Sequence, residues 1–278
     1  MPDNVSEFNS PFYNRFNLRK NERPLLLTDR ISKDFVFPTF YKNVSCGIGI
    51  FMCNYQAALA LLPHSAMRPV RMPGNRAVVI FSCYEYRTVM NMRPYNEIAM
   101  TIPILMGPGL SLPVLPLISK VFKNFGYHVF SMPVTSEENR LRGQKLWGIP
   151  KVTERIDIVQ TGGYSTTVAF DQSDKEYFRL DVPMDGSPTA FDETGHLYTV
   201  LDGQVLKAQT SFKGQFNVNK HMGLLFSKGK KSERPLLTLG NSPRAEALKK
   251  LEIEESVFQT RWCLSMEACF DLGVPVQA

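Results

Sequence analysis

Residues 132–151 read MPVTSEENRLRGQKLWGIPK, and the order of signals within them decides the fold around them. The apolar run 127–134 predicts a buried strand. Thr135 and Glu138 follow at capping-box spacing, which predicts the start of a helix. The helix runs to about Leu146, with Gly148 near its end, where a left-handed residue closes a last turn. Lys151 then stands just past the helix, at the start of another strand. Junctions of this kind hold a functional side chain on rigid supports. Its company is apolar: Leu146, Trp147, Gly148, Ile149 and Pro150 precede it and Val152 follows. Burial disfavours an ammonium ion, and the neutral amine that results can attack a carbonyl carbon. The competing reading is a lysine whose stem lies along an apolar surface while its head reaches water.

Outward from this stretch the chain reads as strands. Segments 44–54, 77–86 and 95–105 lie before it, with a short helix at 56–62 stopped by Pro63. After it, 154–160 and 164–170 flank Gly162-Gly163, a strong hairpin signal. Segments 177–182, 196–201 and 204–212 continue the pattern, the last two around Asp202-Gly203. Ser242-Pro243 opens a short helix to about Leu251, and 257–270 is a final strand. Nineteen prolines and eighteen glycines are spread through the 278 residues, as short elements joined by many turns require. The sum predicts a mainly β (α+β) fold: one domain over 41–278, preceded by a polar N-terminal arm, 1–40.

Composition excludes several functions. The net charge of +6 is matched by one segment, 207–234, whose seven cations face only Glu233. A local basic tract without a recognisable module predicts a solvated loop and no nucleic-acid partner. Five cysteines with no Cys-x-x-Cys pair, and four scattered histidines, support neither a disulfide framework nor a metal site and predict a cytoplasmic protein. The N-terminus lacks the basic and apolar regions of a signal peptide. Residues 98–118 carry no charge, yet Pro103, Pro108, Pro113 and Pro116 would strand backbone groups in lipid, so no membrane span is expected. A hydrophobic lid or an oligomer contact remains open for this stretch. Gly47 and Gly49 have no third glycine and no following helix, which excludes a dinucleotide fingerprint.

The motifs together resemble the acetoacetate decarboxylase superfamily. MPVTSEENRLRGQKLWGIPK is similar to its signature of Pro-Val-Thr, helix, Gly-Arg-Glu and Trp-Gly-x-Pro-Lys. Tyr95, Asn96 and Glu97, followed by Ile102-Pro103, resemble the strand bearing its pocket glutamate. The likeness spans residues 40–272. It implies an antiparallel, cone-like β-barrel with a few short helices, a lyase that needs no cofactor, a small carbonyl or keto-acid substrate, and a homo-oligomer. Lys151 would form the Schiff base and Glu97 would handle protons or orient the substrate, with Tyr95 and Trp147 in the pocket. A lysine activated by desolvation or by a neighbouring cation is the known device of acetoacetate decarboxylase itself. An unperturbed lysine is roughly one part in several thousand neutral at pH 7.

The departures are informative. The family's second lysine is Val152 here, and Gln144-Lys145 replace its Arg-Glu pair. Its pocket arginine aligns with Met52, and a second acidic position aligns with Ser82. Activation of Lys151 would then come from desolvation, with Lys145 or Arg142 as the nearby cation. A carbonyl substrate larger and more apolar than acetoacetate is expected, with decarboxylation or a related imine-based aldol or dehydration step. The alternative from a different class is a non-catalytic barrel that binds a hydrophobic small molecule. Considered outside the motif, Glu97 could pair with Arg93, and His128 reads as a satisfied core histidine.

Overall fold

The computed structural model describes residues 4–21, 24–108, 113–118, 121–229 and 234–276. In chain order its main elements are β1 (Thr39–Asn54), α1 (Tyr55–Ala60), β2 (Arg76–Val89), β3 (Tyr95–Met106), β4 (Phe125–Val134), α2 (Glu137–Trp147) and β5 (Lys151–Thr153). There follow β6 (Arg155–Thr161), β7 (Tyr164–Phe170), β8 (Glu176–Pro183), β9 (Ser187–Leu201), β10 (Gln204–Lys220), β11 (Leu237–Leu239), α3 (Pro243–Lys249) and β12 (Val257–Pro275). The strands sit where the alternation of side chains places them, but several run longer. The 196–201 and 204–212 strands extend to Ser187 and Lys220 and pair from Ser187↔Val218 to Leu201↔Gln204.

Strands β4-β9-β10-β12-β1-β2-β3 form one sheet that closes on itself where β3 meets β4, from Glu97↔Val134 to Leu105↔Phe125. Six of the seven joints are antiparallel; β4 and β9 run parallel at Leu197↔Tyr127. Parity requires this, because an odd number of strands cannot close with every neighbour reversed. The mainly β barrel with a few short helices is the fold expected from the sequence, with one parallel joint where β4 meets β9.

A strand's side chains alternate between faces, and here the alternation separates cavity from core. On β2, Ile80, Ser82, Tyr84 and Tyr86 face the barrel interior, while Val79, Phe81 and Cys83 face outward. On β3, Glu97, Ala99 and Thr101 face in and Ile98, Met100 and Ile102 face out. The outward faces are covered by a second sheet, β6-β7-β8-β11, through Ile156, Phe178, Leu180 and Val182. A strand buried on both faces reads as a continuous apolar run, which accounts for the charge-free start of 98–118. Among the described residues, no helix is long and apolar enough to cross a membrane. Residues 109–112 and 119–120, inside the stretch read as a lid or contact, and 230–233 of the basic tract lie outside the described residues.

Ahead of β1, the chain lies against the barrel through aromatic side chains. Phe8, Phe12 and Tyr13 cluster with Phe40, Met90 and Cys269, all buried. The Tyr13 hydroxyl donates to the Tyr41 carbonyl at 2.7 Å. Phe35 and Phe37 are buried with Trp147 and Val134.

Candidate active site

Helix α2 is capped by Ser136, whose hydroxyl accepts from the Asn139 amide; Thr135 instead accepts from the Asn96 amide at 2.9 Å and ties the helix start to β3. The capping residue is thus one later than its sequence spacing suggested. At the far end Gly148 is left-handed, with φ 63°, and its amide and that of Ile149 close onto Gln144 and Gly143. Only glycine fits there, because a β-carbon would overlap the Val200 carbonyl.

That cap delivers Lys151 to β5, in parallel register with Met132 of β4. Its backbone is held by Gln144, whose amide nitrogen donates to the Lys151 carbonyl at 2.7 Å. The side chain then turns back under α2. Its stem passes Gly143, where a β-carbon would lie 2.5 Å from Cδ and 2.7 Å from Cε. Gly143 therefore leaves the channel through which the amine reaches the cavity. Gly143→Ala improves helix propensity by about 1 kcal/mol, yet it must displace the lysine, an overpacking cost of about 1–3 kcal/mol. The expected result is a roughly tenfold or greater loss of carbonyl-dependent labelling of Lys151 with a small change in melting temperature. Labelling at the wild-type rate would show that the stem is not held by this contact.

Lys151 is 6% exposed, and its amine lies 2.5 Å from the carboxylate of Glu97, a residue 5% exposed. It also donates to Asn139 Oδ1. Asn139 is turned by its own amide, which donates to the Tyr95 hydroxyl at 2.9 Å, and the Tyr86 hydroxyl donates to Glu97 at 3.2 Å. Burial lowers the Lys151 pKa; the Glu97 carboxylate pulls it back up, and Arg142 lowers it further. Arg142 is fully enclosed, facing Phe35 at 4.5 Å and Phe37 at 5.0 Å, and donating to Thr39 and to the Met92 sulfur. Among the described residues it has no carboxylate partner, and its Nε is unsatisfied. Lys145 is not the helping cation: its amine donates to the Leu26 carbonyl at the surface.

A buried ion pair costs several kcal/mol of desolvation per ion and is rarely a net stabiliser. This one stands at the wall of a cavity of about 230 Å³ inside the barrel. Apolar side chains dominate the lining, among them Ile48, Ile80, Val129, Leu197, Phe212 and Phe270. A hydrogen-bonded amine against a carboxylate, facing an apolar space, can exchange a proton locally and present a lone pair to a carbonyl carbon.

Of the residues expected at the pocket, Lys151, Glu97 and Ser82 line this cavity. Met52 does not; it packs with Ile50, Met72, Val78 and Leu225 beyond the cavity end. Trp147 is also absent from the lining. It stacks on Phe270 at 4.9 Å and donates to the Asp271 carbonyl, walling in α2. Tyr95 stands behind the lining and acts through Asn139. Glu97 pairs with Lys151, not with Arg93. His128 is a core histidine, its Nδ1 3.0 Å from the Tyr198 carbonyl and its pKa lowered by burial. The sequence reading did not pick out Asn139. The signal for it was helical spacing, because Asn139, Arg142, Gly143 and Trp147 form the buried stripe of α2, and a polar residue on such a stripe needs a partner.

The family model for acetoacetate decarboxylase matches residues 23–218. No curated protein matches the chain. Among solved structures, acetoacetate decarboxylase from Legionella pneumophila is 14% identical, with TM-score 0.60, covering 86% of this chain and 87% of that one. The enduracididine biosynthesis enzyme MppR, complexed with pyruvate, is 12% identical, with TM-score 0.57 over 86% of this chain and 90% of that one. An acetoacetate decarboxylase-like enzyme from Sphingomonas wittichii RW1 is 13% identical, with TM-score 0.53 over 90% and 94%. These likenesses carry the fold, and the family match covers well over half of the sequence. The chain belongs to the acetoacetate decarboxylase family.

Proposed function

We propose that this protein is a lyase-type enzyme that forms a Schiff base between Lys151 and a carbonyl substrate. The observation that carries the reading is the buried Lys151 amine, held by Glu97 and Asn139 at a mostly apolar cavity. In the reaction, the ammonium proton passes to Glu97 and the freed lone pair forms a bond to the carbonyl carbon. The carbonyl oxygen takes up protons and leaves as water, giving an iminium ion. Electrons from a bond at the adjacent carbon then flow to the iminium nitrogen. That bond is to a carboxylate, released as carbon dioxide, or to hydrogen, whose proton Glu97 is placed to accept. Protonation or carbon–carbon bond formation at the enamine follows, and hydrolysis returns the amine.

The size and apolarity of the lining suit a substrate larger than acetoacetate. All five cysteines are buried free thiols, the state a reducing cytoplasm maintains. Enamine formation is visible without knowledge of the natural substrate, because it exchanges the α-protons of simple ketones with solvent. In deuterated water, wild-type protein is expected to deuterate butanone, followed by NMR, and Lys151→Ala to fall to the buffer rate. Equal exchange by both proteins would remove the proposal.

A further inference from the structure

Arg261 on β12 is, beside Lys151, the second cation in the described cavity lining. It stands in register with Ile48, which pairs Ser82, which pairs Ala99. Glu97, Tyr84 and Cys46 form the neighbouring inward row. Arg261 is therefore three strands round the seven-strand wall from β3, on the far side of the cavity from Glu97. Its Nη2 donates to Gln259 Oε1 at a long 3.3 Å, and its Nε is buried with no hydrogen-bond partner. The guanidinium faces the Phe191 ring at 5.0 Å. Among the described residues, no carboxylate lies within ion-pair distance of it; Glu193 acts on it from farther off. Its charge also reaches Tyr127 of β4, another lining residue, partly offsetting the rise that burial gives that hydroxyl. A partly buried guanidinium with an orphaned edge, facing a mostly apolar cavity, is a fork without its carboxylate.

Resting on the Schiff-base reading above, the geometry points to a substrate with two separated ends. One end is a carbonyl that reacts with Lys151, and the other is a carboxylate that docks on Arg261, with an apolar carbon chain between them across the mostly apolar cavity. The docked carboxylate is then not the group next to the reacting carbon, so it stays on the molecule. The bond broken at that carbon is to hydrogen, its electron pair passing to the iminium nitrogen and its proton to Glu97, which is the aldol or dehydration branch.

The test uses matched methyl ketones with and without a terminal carboxylate: 7-oxooctanoate against 2-octanone, and 4-oxopentanoate against 2-pentanone. Each is trapped on the full chain with borohydride and read by intact mass. Wild type is expected to reach half-trapping at about tenfold lower concentration of 7-oxooctanoate than of 2-octanone, the scale of one charge-assisted bond, with no such advantage for the short acid. Arg261→Gln should bring the long-chain ratio to about one, and Arg261→Lys, with the charge kept, should retain part of it; thermal melts report whether each variant is folded. A long-chain ratio unchanged in Arg261→Gln, or absent in wild type while 2-octanone still traps on Lys151, would overturn the carboxylate site alone. Trapping of no probe at all would remove the Schiff-base reading and this one with it.

Discussion

Replacing Lys151 with methionine is expected to cut ketone α-proton exchange by at least about 10⁴-fold, the scale on which covalent nucleophiles are lost. No other amine in the described cavity lining can take its place, because Lys151 is its only lysine. The stability of the same variant separates function from structure. Lys151→Met leaves Glu97 buried beside Tyr86 without its cation, which costs about 3–5 kcal/mol if the carboxylate stays charged. Adding Glu97→Gln removes that charge. Pairs of this kind, replaced by well-packed neutral residues, often come out neutral or more stable. The double variant should therefore melt at or above wild type while remaining inactive, which calorimetry and the exchange assay check together. A double variant less stable than Lys151→Met would mean that the pair is kept for the fold.

Glu97→Gln alone is expected to separate two steps that share one carboxylate. Burial and Arg142 lower the Lys151 pKa, whereas Glu97 raises it. Neutral amine appears as pH rises through the folded value, so removing the group that raises it moves the onset of borohydride trapping to lower pH. Replacing Arg142 by leucine removes a group that lowers it and moves the onset the other way. Proton transfer behaves differently. Without the carboxylate, α-proton exchange should fall about 10²- to 10⁴-fold, the usual contribution of a positioned acid–base group. Trapping that persists with a lower onset, alongside slow exchange, is the expected signature in paired pH profiles. An onset shifted to higher pH in Glu97→Gln would contradict the assigned electrostatics.

Much of this arrangement was legible in the chain because short-range rules govern it. The Gly148 cap, the hairpin at Gly162-Gly163 and the strand carrying Glu97 are local, and each follows from turn chemistry or alternation. Other features depend on closure. Nothing near position 261 marks Arg261 as a cavity residue until β12 pairs with β1. The aligned position of the family's pocket arginine pointed to Met52, which shares the inward parity of Ile48 and Ile50 but lies one pair too far along β1. Trp147, beside the lysine in sequence, stacks behind the lining residue Phe270 and does not itself reach the cavity. Arg142 and Asn139 were within reach of helical spacing, and their partners were not, since Tyr95, Thr39 and Met92 come from distant segments.

The central claim is that one buried lysine is the reactive amine. The most direct measurement is borohydride reduction of the wild-type chain with butanone and with 2-octanone, followed by proteolysis and mass mapping of the adduct. A single modified peptide carrying the reduced adduct on Lys151, and none in Lys151→Met, is the predicted result. An adduct spread over surface lysines such as Lys145, or one that survives in Lys151→Met, would contradict it.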